Sequence, residues 1–459
     1  MFNQATKNTV FRRYNIAVVV AFIAIILIAL SLATLRYFNE LGQHKTDDLK
    51  ALQREADQLN TILMQSVFAI DGIQEFAQYT LESPLHVNPP FPKLAQDGDF
   101  FYLDKAKYDV LQQGRRLSAN ITGFGKVEEF SELKKREIAM ANALTPAFIS
   151  AQKIIEQATW FYYVSYQKFV NLYPWVDRDI WQYNNEMLLN THNTALRQLT
   201  EYNNHIVWSP PYLDSAGSGM NASLGKGVFY KGKLLGSVVI DINLARLHQS
   251  LPTLSKANQG YVLYNENNHI FLFKRLGKGP LTYRASWQEL LPESLNELSA
   301  TSLENIGDSV RFGDWLIEKQ PLAVNGWILL KYQDYDDFTQ PLRSRFIFIF
   351  ALLFIGLLAF LMLVNAMTRR TFIAPTTEFI RHIEYCAQGD PGKIKPSLDW
   401  LHWFQVVEDI FTQNRSLLLQ LKEQNDVLDS RVLEKTQALA ESSAKHQRDY
   451  VLLRSVMNA

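Results

Sequence analysis

Cysteine is almost absent: Cys386 is the single one in 459 residues. That excludes a disulfide framework and any thiolate metal cluster. A charge excess of either sign is also absent, with 46 Lys plus Arg against 46 Asp plus Glu. A nucleic-acid-binding chain would carry a basic excess or stripe. With 47% apolar residues, the chain is not a disordered acidic one either. No His-Glu-x-x-(Thr/Pro) box, no glycine-rich ATP-lid motif and no Gly-Gly-(Asp/Glu)-Glu-Phe run occurs. His446, in Ala-Lys-His-Gln-Arg-Asp, has no acid after it and reads as a surface residue. No catalytic residue, metal or cofactor is assigned.

What the chain does have is two concentrated apolar runs. Ile16 to Leu35 is twenty residues without a charge, and Phe346 to Met367 is 22 residues with Asn365 as the one strongly polar member. At 1.5 Å per residue each matches the roughly 30 Å of a bilayer core. A buried core helix is the plainer reading, but core helices rarely stay uncharged for so long. A cleaved signal peptide is the other alternative for the first run, with Ala29-Leu-Ser31 as a weak cleavage site. Its apolar stretch exceeds the usual h-region, which favours an uncleaved anchor. Basic residues flank both sides: Lys7, Arg12, Arg13, Arg369 and Arg370 on one, Arg36, Arg343 and Arg345 on the other. Charge near the ends therefore leaves orientation close to a tie. The long cysteine-free segment between the spans can translocate whatever its charge, and Cys386 falls beyond the second span. The orientation read from this is both termini inside and the large segment, residues 36–345, outside.

Length alone suggests about three domains. Residues 36–83 show helical spacing (Leu41, Leu49, Leu52, Leu59, Leu63, Val67, Ile70, Ile73) with no proline before Pro84. After a Pro-rich 84–92 stretch, aromatic and β-branched clusters predict a hairpin at Trp160–Ser165 and Lys168–Tyr173. A second is predicted at Lys226–Tyr230 and Lys233–Ile240, turned at Lys231-Gly232. Its second strand, nearly all apolar, is expected to be central and covered on both faces. Gln259–Tyr264 with His269–Phe273, and Gln320–Val324 with Trp327–Tyr332, weakly repeat the shape. The fold class expected is α+β: one long N-terminal helix carrying two tandem antiparallel-sheet lobes.

The run Trp208-Ser-Pro-Pro-Tyr-Leu-Asp-Ser-Ala-Gly-Ser-Gly219, followed by Gly236–Leu244, resembles the first lobe of double Cache (tandem PAS-like) sensor domains; Tyr162-Tyr163 and Asn171–Pro174 fit the same pattern. The resemblance covers roughly residues 40–340. Such sensors belong to histidine kinases, chemoreceptors and diguanylate cyclases. In members binding amines or amino acids, a Tyr-x-Asp and the Asp closing the apolar strand hold the ligand's ammonium. Carried over, these are Tyr212, Asp214 and Asp241, with Tyr162 beside them. Paired carboxylates suit a desolvated ammonium, and aromatic faces add cation–π attraction. Amino-acid binders also carry an Arg-x-Trp-Tyr run that clamps the carboxylate. This chain offers Arg178-Asp-Ile-Trp181-Gln-Tyr183, with altered spacing, so an amine or other small polar ligand stands beside an amino acid. Plainer readings stay open: Asp241 as an N-cap of a helix starting at Ile242, Tyr212 and Asp214 as turn residues beside Pro210-Pro211, Trp181 as ordinary core.

Pro375 to Asp390, directly after the second span, resembles the first helix of a HAMP linker, with Phe379 and Ile383 facing one bundle core. A Pro391-Gly392 connector and a second helix from about Asp399 follow. Leu418, Leu421, Leu428, Val432 and Leu439 then step by threes and fours, with Asn425 at a seam position, which predicts a two-stranded parallel coil and a homodimer. The ending Tyr450–Ala459 looks like the lead-in to a cytoplasmic PAS domain. The resulting layout is a cytoplasmic N-terminus (1–15), a first span (16–35), a periplasmic helix (36–83), a membrane-distal lobe (84–250) and a membrane-proximal lobe (251–340). The second span (346–367), a HAMP-like linker (368–420) and a signalling coil (421–459) complete it. Such a layout resembles the input region of a two-component sensor histidine kinase, cut before its PAS and kinase core. The implied partners are a small-molecule ligand, membrane lipid, a second copy of the chain and a response regulator; nucleic acid is not among them. Alternatives are a ligand-binding membrane protein without its own output, and the input half of a diguanylate cyclase. The reading frame downstream of codon 459 separates them.

Overall fold

In the computed structural model, residues 4–82, 89–104, 111–112, 115–184, 205–295, 298, 302–303, 307–390 and 394–457 are described. Residues 84–88 of the Pro-rich stretch, the Pro391-Gly392 connector and the last two residues lie outside them. Two units make up the chain: Ser31–Ile347, and Met1–Leu30 together with Phe348–Ala459.

The first of these is organised along helix α1 (Gln4–Glu82). Its Leu52, Ala56, Leu59, Leu63, Ile70, Ile73, Ala77 and Leu81 are buried, at the three-and-four spacing of a helix with one apolar stripe. Next in the chain come β1 (Leu94–Asp97), β2 (Phe100–Leu103), β3 (Leu111–Gln112), β4 (Arg115–Arg116) and β5 (Asn120–Phe124). Helices α2 (Glu132–Ala143) and α3 (Thr145–Ile154) precede β6 (Ala158–Ser165), β7 (Phe169–Tyr173), β8 (Val207–Trp208), β9 (Tyr212–Leu213), β10 (Met220–Tyr230) and β11 (Lys233–Asn243). These strands form an antiparallel sheet in the order β1-β2-β5-β7-β6-β11-β10-β8, with β9 also on β10 and β3-β4 as a separate ribbon. The apolar strand β11 sits between β6 and β10. At Gly236 a Cβ would come 2.3 Å from the Val164 carbonyl and 2.7 Å from the Tyr163 hydroxyl, so only glycine fits where β11 crosses β6.

Alternation along β6 and β11 sorts the sheet's two faces. Phe161, Tyr163, Val238, Ile240 and Ile242 join Ile70–Leu81 of α1 and the residues of α2 and α3 in one core. Tyr162, Val164 and Val239 point the other way, into a smaller cluster with Leu172 and Tyr183. The helix-side core encloses one acid: Glu137 of α2, with no exposed surface, accepts from Tyr163 Oη at 2.7 Å and Ser165 Oγ at 2.6 Å, and from Gln167 Nε2. Burial outweighs these donors and pushes its carboxyl from 4.5 up to about 7. The folded carboxyl thus keeps its proton to higher pH than the unfolded one. Its contribution to stability is undiminished below about pH 4.5 and is lost as pH rises through about 7. Over that window the wild type should lose ~3 kcal/mol that Glu137→Gln does not. Melting temperatures measured from pH 5 to 8 should therefore converge or cross; parallel curves would refute the assignment.

After α4 (Leu244–Gln249) the second lobe begins: β12 (Gln259–Tyr264), β13 (Ile270–Arg275), α5 (Trp287–Leu290), β14 (Ser309–Phe312), β15 (Trp315–Pro321) and β16 (Ile328–Asp334). The five strands order as β13-β12-β16-β15-β14, all antiparallel. One face, with Tyr261, Leu263, Phe271 and Leu329, packs on Leu52–Leu63 of α1. The opposite face, with Val262, Tyr264, Ile317, Leu330 and Tyr332, packs on Trp287 and Leu291. Both sheets thus lay one face against the same long helix.

Helix α6 (Tyr335–Thr368) carries the second apolar run and continues through a π-helical turn (Arg369–Ile373) into α7 (Ala374–Gln388); α8 spans Leu401–Met457. Among the described residues two helices, α1 and α6, are long and apolar enough to cross a membrane. Their apolar segments are unburied, and Phe22 meets Phe360 with ring centroids 6.3 Å apart. Phe379 of α7 packs against Trp400 and Phe404 at the start of α8, and His382 Nε2 lies 3.2 Å from the Phe404 carbonyl and 3.4 Å from Cys386 Sγ. From Thr412 to Leu453 every side chain is exposed, the apolar Leu418, Leu421, Leu428, Val432 and Leu439 included.

Candidate functional site

The face of the first sheet turned away from the helices holds the site. Its register brings the residues together: Asp241 lies opposite Trp160 on β6 and opposite Ser223 on β10, Tyr162 lies opposite Val239, and Tyr212 opposite Asn221. Tyr162 and Asp241 share a face because each stands an even number of places from its apolar neighbours on that side. A cavity of about 490 Å³ opens there. Trp160, Tyr162, Leu172, Trp181, Tyr212 and Asp241 line it, together with the Pro210–Ala216 segment and Met220.

Asp241 is 3% exposed. Ser223 Oγ donates to its Oδ1 at 2.6 Å and Tyr212 Oη to its Oδ2 at 2.8 Å. Burial dominates even so, and lifts its carboxyl from 3.8 to about 7. A carboxylate in this position gains from any cation that replaces the lost water. Asp214 is differently employed. Its Oδ2 accepts from Trp160 Nε1 at 2.8 Å and from the Ser218 backbone N–H at 2.9 Å, and its Oδ1 accepts from the Ala216 N–H at 3.1 Å. The loop that wraps it needs left-handed backbone at Gly217 (φ +88°) and Gly219 (φ +94°), which glycine supplies without strain. Asp214 is therefore a loop organiser that also lines the cavity. Trp181 closes one wall and donates to Ser215 Oγ at 3.3 Å.

Of the residues singled out in the sequence, Tyr162, Trp181, Tyr212, Asp214 and Asp241 line this cavity and Arg178 does not. Arg178 Nη1 and Nη2 both donate to Asp97 Oδ2 at 3.3 Å, and its guanidinium lies 4.2 Å over the Tyr102 ring. The helix-cap alternative for Asp241 also fails: β11 runs on to Asn243, which caps α4 by accepting from the Arg246 N–H at 3.0 Å. Missing from the sequence reading were Trp160 and Ser223, whose facing depends on strand register, and Arg284, which lines the cavity from the second lobe. Among the described residues no group of three or more His, Cys, Asp or Glu is placed to hold a metal ion.

No protein-family model matches the sequence, and no curated protein matches it. Solved structures do. The ligand-binding domain of the Pseudomonas fluorescens chemoreceptor CtaA, in complex with L-isoleucine, is similar at 14% identity and a TM-score of 0.37, over 66% of this chain and 99% of that one. The ligand-binding domain of Mlp24 with asparagine aligns at 12% identity and a TM-score of 0.36, over 67% and 99%. That of the Pseudomonas aeruginosa PAO1 amino acid chemoreceptor PctB, with L-Gln, aligns at 13% identity and a TM-score of 0.36, over 64% and 92%.

Proposed function

We propose that the protein is a transmembrane signal receptor whose first lobe, outside the inner membrane, takes a small ligand bearing an ammonium group. One observation carries this reading: a buried carboxylate, Asp241, held by two hydroxyls at the floor of an aromatic-walled cavity large enough for a small molecule. Tyr162, Trp160, Trp181 and Tyr212 line the cavity with aromatic rings, the side chains that attract a cation over their faces. A folded protein that keeps a carboxylate at such a desolvation cost, with no cation among the described residues against it, has a use for a cation from solution. Thermal-shift screening of amines and L-amino acids on the full chain in lipid nanodiscs tests the reading. Some of these compounds should raise the melting temperature of wild type and leave Asp241→Asn unmoved. A panel that shifts both proteins equally would sink it.

Ligand occupancy is then passed along α1 and α6 to α7 and α8, acting as a HAMP-like pair and a signalling coil, and on to a histidine kinase output in a two-component phosphorelay. The exposed apolar positions of α8 support a parallel dimer of this helix, since a second copy in register would cover them. Leu428→Cys, in a Cys386→Ser background, should give an interprotomer disulfide under mild oxidation. Ser430→Cys, two places round the helix, should cross-link far less. Equal yields would argue against the coil.

A further inference from the structure

The cavity described above binds charge unevenly. Among the described residues its first-lobe walls carry two carboxylates, Asp241 and Asp214, and no cation. The cation expected from that lobe, Arg178, is committed to Asp97 and Tyr102. The one positive side chain among the described residues lining the cavity is Arg284, flanked there by Thr282 and Tyr283. All three belong to the second lobe, on the segment that joins β13 to α5.

This segment is built to hold an arm in place while leaving its end free. Immediately after Arg284 the chain is anchored: Ala285 and Trp287 are buried, and Ser286 with Glu289 forms a reciprocal capping box on α5. Before it, Leu276 and Tyr283 are exposed. No hydrogen bond or ion pair to another described residue engages the Arg284 guanidinium. It lowers the proton affinity of His269, where burial is the larger cause. A guanidinium with its donors free, at the mouth of a cavity whose floor is a carboxylate, is set up for a partner that is anionic at one end and cationic at the other.

We infer that Arg284 is the anion clamp of this cavity. On that assignment the ligand is a small zwitterion, its ammonium inward against Asp241 and its carboxylate outward against Arg284, so that one molecule ties the second lobe to the first. The inference rests on the reading of the cavity as an ammonium site and adds the class of ligand and the lobe that completes the site. It also gives the site a mechanical consequence. A plain amine fills the first-lobe half alone, whereas a zwitterion makes contacts to both lobes, both of which pack on α1. A ligand shifts a conformational equilibrium only by the difference in its contacts to the two states. Here that difference lies at Arg284.

Titration calorimetry on the full chain in nanodiscs tests this, with each of the common L-amino acids paired with the amine that lacks its carboxylate. Wild type should bind at least one amino acid more tightly than its amine. Arg284→Ala should weaken that amino acid about 10- to 100-fold, the loss of a charge-assisted contact, and leave the amine within about threefold. Arg284→Lys should recover part of the loss. Equal binding of acid and amine by wild type, or equal effects of Arg284→Ala on both, would overturn the clamp while leaving the cavity reading intact. If neither class binds wild type, or if Asp241→Asn binds both as wild type does, the cavity reading falls and the clamp with it. Arg284 is exposed, so Arg284→Ala should fold as wild type does, and an unchanged melting temperature without ligand checks this.

Discussion

Asp241→Asn is expected to abolish ligand binding and, at the same time, to make the empty protein more stable above pH 7. The two effects have one cause. Asp241 is nearly without water, and burial moves its carboxyl from 3.8 to about 7. A raised folded value means that the contribution of this carboxyl to stability is whole below about pH 4 and is lost as pH rises through about 7. The ionised form therefore costs the empty fold roughly 4 kcal/mol. Asparagine has the same shape and carries no charge, so it lifts that cost; its one oxygen accepts from one of the Ser223 and Tyr212 hydroxyls, and the other hydroxyl turns to accept from its amide N–H. An ammonium brought against the carboxylate offsets the same cost in the wild type. Removing one partner of such a buried pair weakens binding by about 2–5 kcal/mol, roughly 30-fold to several thousand-fold. The pH dependence follows with its sign fixed: only the carboxylate attracts the cation, so affinity should fall about tenfold for each unit of pH below 7 and level off above it. Calorimetric titrations from pH 5.5 to 8.5, with melting curves on the empty proteins, read out both halves. A variant that binds less well but is also less stable above pH 7 would mark Asp241 as merely structural.

How far the sequence shows this site can be judged residue by residue. Tyr212, Asp214 and Asp241 were visible because their local pattern resembles that of a sensor family, and Tyr162 because it sits in an aromatic strand. The hairpins of β6–β7 and β10–β11 were visible in the alternation and in the Lys231-Gly232 turn, which the structure places at positive φ. Trp160 and Ser223 were not, because each becomes a neighbour of Asp241 only through the register of a strand pair. Register depends on which residues lie across from one another, and no single strand records that. Arg178 misled for a related reason. It stands near the family's clamp position, but Asp97 and Tyr102, far earlier in the chain, decide where its guanidinium goes. Arg284 lay outside any local pattern, since it reaches the cavity from the other lobe. The order β13-β12-β16-β15-β14 was likewise hidden: the sequence marks strands and turns, and the pairing of β12 with β16 joins segments some seventy residues apart.

The largest loss of stability is expected from Lys331→Met. Lys331 of β16, 8% exposed, donates to Asp48 Oδ1 of α1, and Gln333 Nε2 donates to the other oxygen of the same carboxylate. Around this pair stand further acids. Glu318 of β15 has no exposed surface, and its carboxyl is pushed up to about 8, first by burial and then by Asp48. Glu55 lies two turns further along the same face of α1, its carboxyl also raised by burial, with Tyr261 of β12 beside it. Asp48 alone is held below its ordinary value, the attraction of Lys331 overcoming its own burial. One cation thus serves three carboxyl groups, two of which are biased towards their neutral form while the third stays ionised. Methionine in place of Lys331 keeps the apolar stem and removes that cation. Asp48 is then left as an uncompensated, mostly buried charge, at a cost of about 3–5 kcal/mol. For a unit of this size that is a fall in melting temperature of roughly 10 °C. Asp48→Asn alone should cost less, because its amide still accepts from Lys331 and leaves a cation that Glu318 can answer by ionising. The double variant Asp48→Asn, Lys331→Met should recover much of the stability, since it buries two uncharged groups where the single variant strands one charge. If Lys331→Met melts within about 2 °C of wild type, the pair contributes no more than an exposed ion pair does, and the apolar stripe of α1 is what holds it to the second sheet.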